Sequence, residues 1–187
     1  MKRILSLLLL PGLLLPGLLT GCGEKEPDLY PLVGQTVEEA LAELKVDSAD
    51  LAEQSTSYMS ILPGSYNWLG REWTVMLGHN SETMIIDHVI YHWPEVGPDD
   101  LKEIRSIHDQ LAETFEVSEI SSNNLTRFLE GDDTLDSLGN TGLNTIFVRD
   151  GEQVSMGLMW EKEAGQGYVQ LSLSSALTAE ELLSSAK

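Results

Sequence analysis

The sequence is short of cysteine and of positive charge. Cys22 is the single cysteine among 187 residues, so the chain closes no internal disulfide and builds no two-thiolate metal site. Eleven Lys and Arg stand against 30 Asp and Glu, a formal net charge of −19 at pH 7. Nucleic-acid binding depends on cationic side chains that neutralise phosphates, and that partner class is excluded. The same deficit sets the chain against an anionic bilayer surface. Partners steered by charge are then cationic: a basic protein patch, a polycation or a divalent metal. Disorder does not fit, because a hydrophobic content of 42% is ordinary for a globular core.

An uninterrupted apolar run long enough to span a bilayer is also missing. The longest candidate, Ile4 to Leu19, is broken by Pro11-Gly12 and Pro16-Gly17. A spanning helix takes about 20 apolar residues, and an internal proline removes a helical hydrogen bond and clashes with the preceding turn. What is present instead is Lys2-Arg3, the apolar stretch, Leu19-Thr20-Gly21-Cys22, and an abrupt turn to Glu24, Glu26 and Asp28. This order resembles a bacterial lipoprotein signal peptide with its lipobox. The resemblance implies that Leu19, Thr20 and Gly21 are recognition residues, that residues 1–21 are removed, and that Cys22 carries the lipid (diacylglycerol and palmitate). Two acyl chains, at about 0.8 kcal/mol per buried methylene, hold a protein to a membrane effectively permanently. Lipidation would use the only thiol, which excludes a cysteine nucleophile from the mature domain. With Lys2 and Arg3 removed, 11 − 2 = 9 basic residues face 30 acidic ones. Residues 22–29 read as a tether, of which Gly23 to Asp28 spans at most about 20 Å. The expected location is extracytoplasmic, anchored in the cell membrane or an outer membrane. Gly23 lacks the aspartate that favours inner-membrane retention.

Residues 30–187 read as one α+β domain. Thr36 and Glu39 form a capping box for a helix over Val37–Lys45, whose apolar face is Val37, Ala40, Leu41 and Leu44. Strands are expected over Ser57–Leu62, Glu72–Gly78 and Thr83–Trp93, the last stopped by Pro94, with His79–Glu82 as a hairpin turn. Gly97-Pro98-Asp99-Asp100 opens a second helix, on which Leu101, Ile104, His108, Leu111 and Phe115 recur at helical spacing. The polar stretch Ser118–Asn140 holds a short helix near Leu125–Leu129. Strands over Asn144–Arg149 and Gln153–Glu161 flank Asp150-Gly151, a two-residue hairpin signal. A last strand, Gly167–Ser174, precedes a terminal helix capped by Thr178 and Glu181. The order helix, three strands, helix, three strands, helix predicts antiparallel sheet with the helices on one face. Two helix-plus-three-strand units are one way to parse it.

Chemistry-bearing residues are sparse. His88 and His92 share a strand face about 13 Å apart, too far for one metal. His79 reads as a turn residue and His108 as lying on the buried side of its helix. Asp132, Asp133 and Asp136 resemble a calcium loop only superficially, since the sixth position is Ser137 and the twelfth Leu143. Neither a glycine-x-serine-x-glycine elbow nor a phosphate loop occurs, and Ser184 to Lys187 matches serine-x-x-lysine only in the last turn of the chain. No cofactor is implied. The aromatics Tyr66, Trp68, Tyr91 and Trp93 are the candidate interaction patch, since such rings supply rigid contact area. If Ile86, His88 and Ile90 face the helices, Tyr91 and Trp93 point outward; the opposite assignment makes them core, the commoner fate of large aromatics.

Residues 27–44, PDLYPLVGQTVEEALAEL, are similar to the start of a PASTA domain, a small helix-on-sheet module of cell-wall-sensing proteins. The helix-then-meander layout resembles small envelope lipoproteins of the assembly-factor and β-lactamase-inhibitor-like class. The function expected is a lipid-anchored, extracytoplasmic, non-catalytic binding domain of the bacterial envelope. Its partners would be the membrane through Cys22 and a basic envelope protein or polymer. The alternatives are a divalent-metal-binding lipoprotein and an envelope hydrolase.

Overall fold

The computed structural model describes residues 29–119 and 123–175. The signal segment with Leu19, Thr20, Gly21 and Cys22, the tether before Leu29, and the helix expected after Thr178 lie outside the described residues.

Eight strands form one antiparallel sheet: β1 (Met59–Ile61), β2 (Tyr66–Trp68), β3 (Arg71–His79), β4 (Ile86–Val96), β5 (Glu116–Val117), β6 (Thr141–Arg149), β7 (Glu152–Glu161) and β8 (Gln166–Ser175). Their order is β1-β3-β4-β8-β7-β6-β5, with β2 also paired to β3. Among the described residues, helices α1 (Val37–Leu44), α2 (Leu101–Thr114) and α3 (Asn124–Glu130) accompany the sheet in an α+β fold. Each half of the chain runs from a helix into a meander, and the two meanders join last strand to last strand, β4 against β8.

Local chemistry accounts for the element ends. Both halves of the capping box at α1 form: the Glu39 amide donates to the Thr36 hydroxyl and the Thr36 amide donates to the Glu39 carboxylate. The amides of Gly34 and Ile86 exchange bonds with Ile86 and Gln35 carbonyls, and the Val37 amide donates to Met84, which fixes α1 beside the β3–β4 turn. In that turn the Asn80 side chain accepts from the amides of Glu82 and Thr83. Asp150 and Gly151 both take positive φ, 48° and 87°, as a two-residue turn matched to strand twist demands.

Trp73, Val75, Leu77, Val89, Tyr91, Trp93, Phe147, Val154, Met156, Leu158, Trp160 and Leu171 are buried in one core. From above, α1 adds Val37, Ala40 and Leu41, and α2 adds Ile104, Ile107 and Leu111. Arg71 spans sheet and helix: its guanidinium lies 3.3 Å over the Trp93 ring and donates to Glu103 at 2.5 Å. The Arg105 guanidinium donates to the carbonyls of Leu129 and Gly131 at 3.1 and 2.9 Å, placing a positive charge at the negative end of α3. His108 is on the buried side of α2, as its spacing predicts, and joins Thr126 and Thr145 in a polar chain at 3.0 and 2.7 Å.

Two expectations are corrected. Strand β4 does not stop at Pro94 but reaches Val96, because a bulge between Trp93 and Val96, with Glu95 at φ 59°, absorbs the missing donor. His79 is the buried last residue of β3, not a turn residue. Strands β2 and β5, of three and two residues, are too short to show a period in the sequence.

Candidate functional site

With the helices on one side, period-two alternation sends the other set of strand side chains to the opposite, outer face. The register arranges them in rows across β3, β4, β8, β7 and β6. One row is Gly78, His88, Ser174, Gln153 and Val148. The next is Met76, Ile90, Ser172, Ser155 and Ile146, followed by Thr74, His92, Gln170, Gly157 and Asn144. Tyr168, Met159 and Gly142 form a shorter fourth row. These rows hold no Asp, Glu, Lys or Arg, in a chain that is 22% charged. Carboxylates border the rows: Asp87 pairs with the ring of His88 at one end, and Glu72, Glu95 and Glu161 stand at the other.

The relief of this face follows from its glycines. Gly157 leaves a hollow of about 370 Å³ lined by Asn144, Ser155, Gln170 and Ser172. Met159 lies against Gly142, where a Cβ would come within 2.8 Å of its sulfur. Met159 and Tyr168 are 43% and 38% exposed and stand as a ridge. Beyond the ridge is a second hollow of about 340 Å³, bounded by His92, Pro94, Glu95 and Glu161. The His92 ring packs 5.3 Å from that of Tyr168. Burial holds the His92 pKa below its ordinary 6.5, and its Nδ1 is enclosed without a hydrogen-bond partner. The face therefore offers amides, hydroxyls, a neutral imidazole and two exposed apolar side chains.

The aromatic patch read from the sequence does not lie here. Tyr91 and Trp93 are 1% and 4% exposed and face the helices, so the outward assignment is overturned. The bulge after Gly78 pairs His79 with Ile86 and then Gly78 with His88, which puts Ile86 in the core and His88 and Ile90 on the outer side, where Ile90 is nevertheless buried. Tyr66 and Trp68 are half-buried against the same core. Trp68 meets Tyr91 with centroids 4.6 Å apart, and both line a small cleft of about 200 Å³ with Tyr30, Phe115 and Arg149. Asp132, Asp133 and Asp136 are exposed. Among the described residues no group of three His, Cys, Asp or Glu side chains is placed to hold a metal ion.

A different polar pair lies under α1. The Ser60 hydroxyl is 3.2 Å from His79 Nε2, both residues being buried, at the floor of an apolar cleft beside α1. A serine nucleophile needs its histidine oriented and stabilised by a third group. His79 Nδ1 is buried without a partner, so the pair lacks that group. The outer face was missed in the sequence although its signal is there: the alternate positions Gln153, Ser155, Gly157, Met159 and Tyr168, Gln170, Ser172, Ser174 carry no charge. Reading it required knowing that these strands are neighbours. Compared with known proteins, the chain matches no family model, no curated protein and no solved structure.

Proposed function

We propose that this chain is a lipid-anchored, extracytoplasmic, non-catalytic binding domain of the bacterial envelope, which presents its outer sheet face to an uncharged glycan strand. One observation carries the choice of face: four rows of side chains without a formal charge on a molecule with a net charge of −19. A face kept only for solubility would share the acidic residues that cover the rest of the surface. Amide, hydroxyl and imidazole groups beside an exposed Tyr168 suit a partner rich in hydroxyls and amides and poor in charge. Charged partners would lose their hydration on this face and gain no ion pair. Support for the anchor comes from the lipobox-like Leu19-Thr20-Gly21-Cys22.

The test is co-sedimentation of the lipidated chain with insoluble envelope glycan. Wild type is expected in the pellet, and Gly157→Asp in the supernatant. The new Cβ has no neighbour closer than 3.9 Å, so the variant adds a carboxylate without a clash. Equal retention of both proteins, or of neither, overturns the reading. Separately, Cys22→Ser is expected to move the protein from the membrane to the soluble fraction.

A further inference from the structure

All five large apolar side chains that are exposed among the described residues fall at two places. Met159 and Tyr168 form the ridge already described; Tyr58, Met84 and Ile85, at 63%, 39% and 42%, lie at the opposite corner of the fold. There a cleft of about 660 Å³ opens beside α1, within the span of about 300–1,000 Å³ usual for binding sites. Its walls are Val37 and Leu41 of α1, Val46 and Leu51 beyond it, and Met84 of the β3–β4 turn, with Ser60 beneath. Ile85 bridges Thr36 at its edge, and Tyr58 precedes the strand that bears Ser60. Met84, at φ 57°, is held in a backbone region that non-glycine residues seldom occupy, at the lip of the cleft.

The chemistry of the rim names the occupant. From Val37 to Glu53 the acidic residues are Glu38, Glu39, Glu43, Asp47, Asp50 and Glu53, and Lys45 is the only basic residue. Glu38 lines the cleft itself. Along α1, Val37 and Leu41 form one row at spacing four, and Glu38 and Ala42 form the next, which is the row pattern into which a second helix packs. Ala42 is the small member that permits close approach. We infer that this cleft receives the apolar stripe of a basic amphipathic helix from a partner protein. Leucine-like anchors at i, i+3 and i+4 pack against the apolar walls above Ser60, and flanking Lys or Arg meet Glu38 at the cleft and the acidic residues that neighbour it in sequence. A second copy of this chain would bring its own acidic α1 against the rim, and an anionic lipid would bring its headgroup; both are repelled. This site lies on the helix side of the sheet and is independent of the outer face.

The test uses the full chain in discs of zwitterionic phosphatidylcholine, with empty discs as the blank. The probe is a fluorescent helical peptide of Leu and Lys, compared with the same peptide carrying Glu for Lys. Saturable binding of the Lys peptide is expected, and none of the Glu peptide. Ala42→Trp fills the cleft from an exposed helical position and keeps every charge; it is expected to weaken binding about tenfold or more. Met84→Lys, at the lip, should act in the same direction by placing a positive charge beside Glu38. Equal binding of both peptides, or binding unmoved by both substitutions, overturns the inference. So does a requirement to delete residues 176–187 before the peptide binds, which would make the cleft the seat of the chain's own tail. Self-association abolished by Ala42→Trp would overturn it in favour of a second copy.

Discussion

His92 sits on the outer face with Nδ1 enclosed and unpartnered, and burial lowers its pKa from 6.5. The unfolded chain binds this proton at the ordinary value and the folded chain only at a lower pH, so protonation favours unfolding. Its contribution is therefore complete above about pH 6.5 and is lost as the pH falls toward the lowered value. His92→Gln is expected to flatten the decline of Tm across that window, as measured by thermal melts at closely spaced pH values. A parallel decline in both proteins would show that His92 does not titrate as its burial requires. Ser60 offers a second residue-scale test. Its hydroxyl meets His79 at 3.2 Å, but no group orients the imidazole from behind. A fluorophosphonate probe is expected to leave Ser60 unlabelled, and stoichiometric labelling abolished by Ser60→Ala would reveal a nucleophile. Neither residue's setting was legible in the sequence. His79 reads as part of a polar turn because Asn80, Ser81 and Glu82 follow it, yet the strand pairing of Gly78 extends the sheet one residue further.

Elements were easier to read where their signals are local. The grammar of α1 is contained in Thr36 and Glu39, and the structure ends the helix at Leu44, with Lys45 at φ 57°. Hydrogen bonds from Thr36, first through its amide and then through its hydroxyl, lower the Glu39 pKa. The contribution of this carboxylate is present above pH 4.5 and fades as the pH falls through its depressed value. Thr36→Ala is expected to cost about 1 kcal/mol, read from denaturant midpoints. Because α1 also forms one wall of the cleft, the same variant should weaken peptide binding there. Strand β4 was legible as a strand, but its faces were not. Period two separates Tyr91 and Trp93 from His88 and Ile90 without saying which set is buried, and the bulge at Gly78–His79 shifts Ile86 to the core. Both assignments of Tyr91 and Trp93 were therefore open in the sequence, and the structure takes the core one. Arg105 is a longer-range case: it caps α3 from α2 across 24 residues of sequence, which no window over either helix reveals. Arg105→Ala is expected to destabilise by about 1–2 kcal/mol, with loss of amide-exchange protection concentrated in α3.

At the scale of the whole molecule, two meanders share one sheet, and the pairing of β4 with β8 decides which residues become neighbours. The sequence predicts runs of antiparallel strands but contains no local signal for that pairing. The uncharged face was invisible until the register aligned Gln170 with Gly157 and His92. Its counterpart is the crowding of carboxylates onto the remaining surface. Thirty acidic residues repel one another with only 11 Lys and Arg to offset them. Among the described residues, the arginine ion pairs are Arg71–Glu103 and Arg149–Glu152. Exposed pairs of this kind contribute about 0–1 kcal/mol each, so screening them costs little. Salt reduces the Debye length from about 30 Å at 0.01 M to about 10 Å at 0.1 M, and it therefore relieves more repulsion than it removes attraction. Tm is expected to rise with added sodium chloride at pH 7. The rise should shrink near pH 4, where protonation of the carboxylates has already lowered the charge. A Tm that falls with salt at pH 7 would show instead that attractive pairs outweigh the repulsion, which would undercut the charge partition on which the choice of the outer face rests.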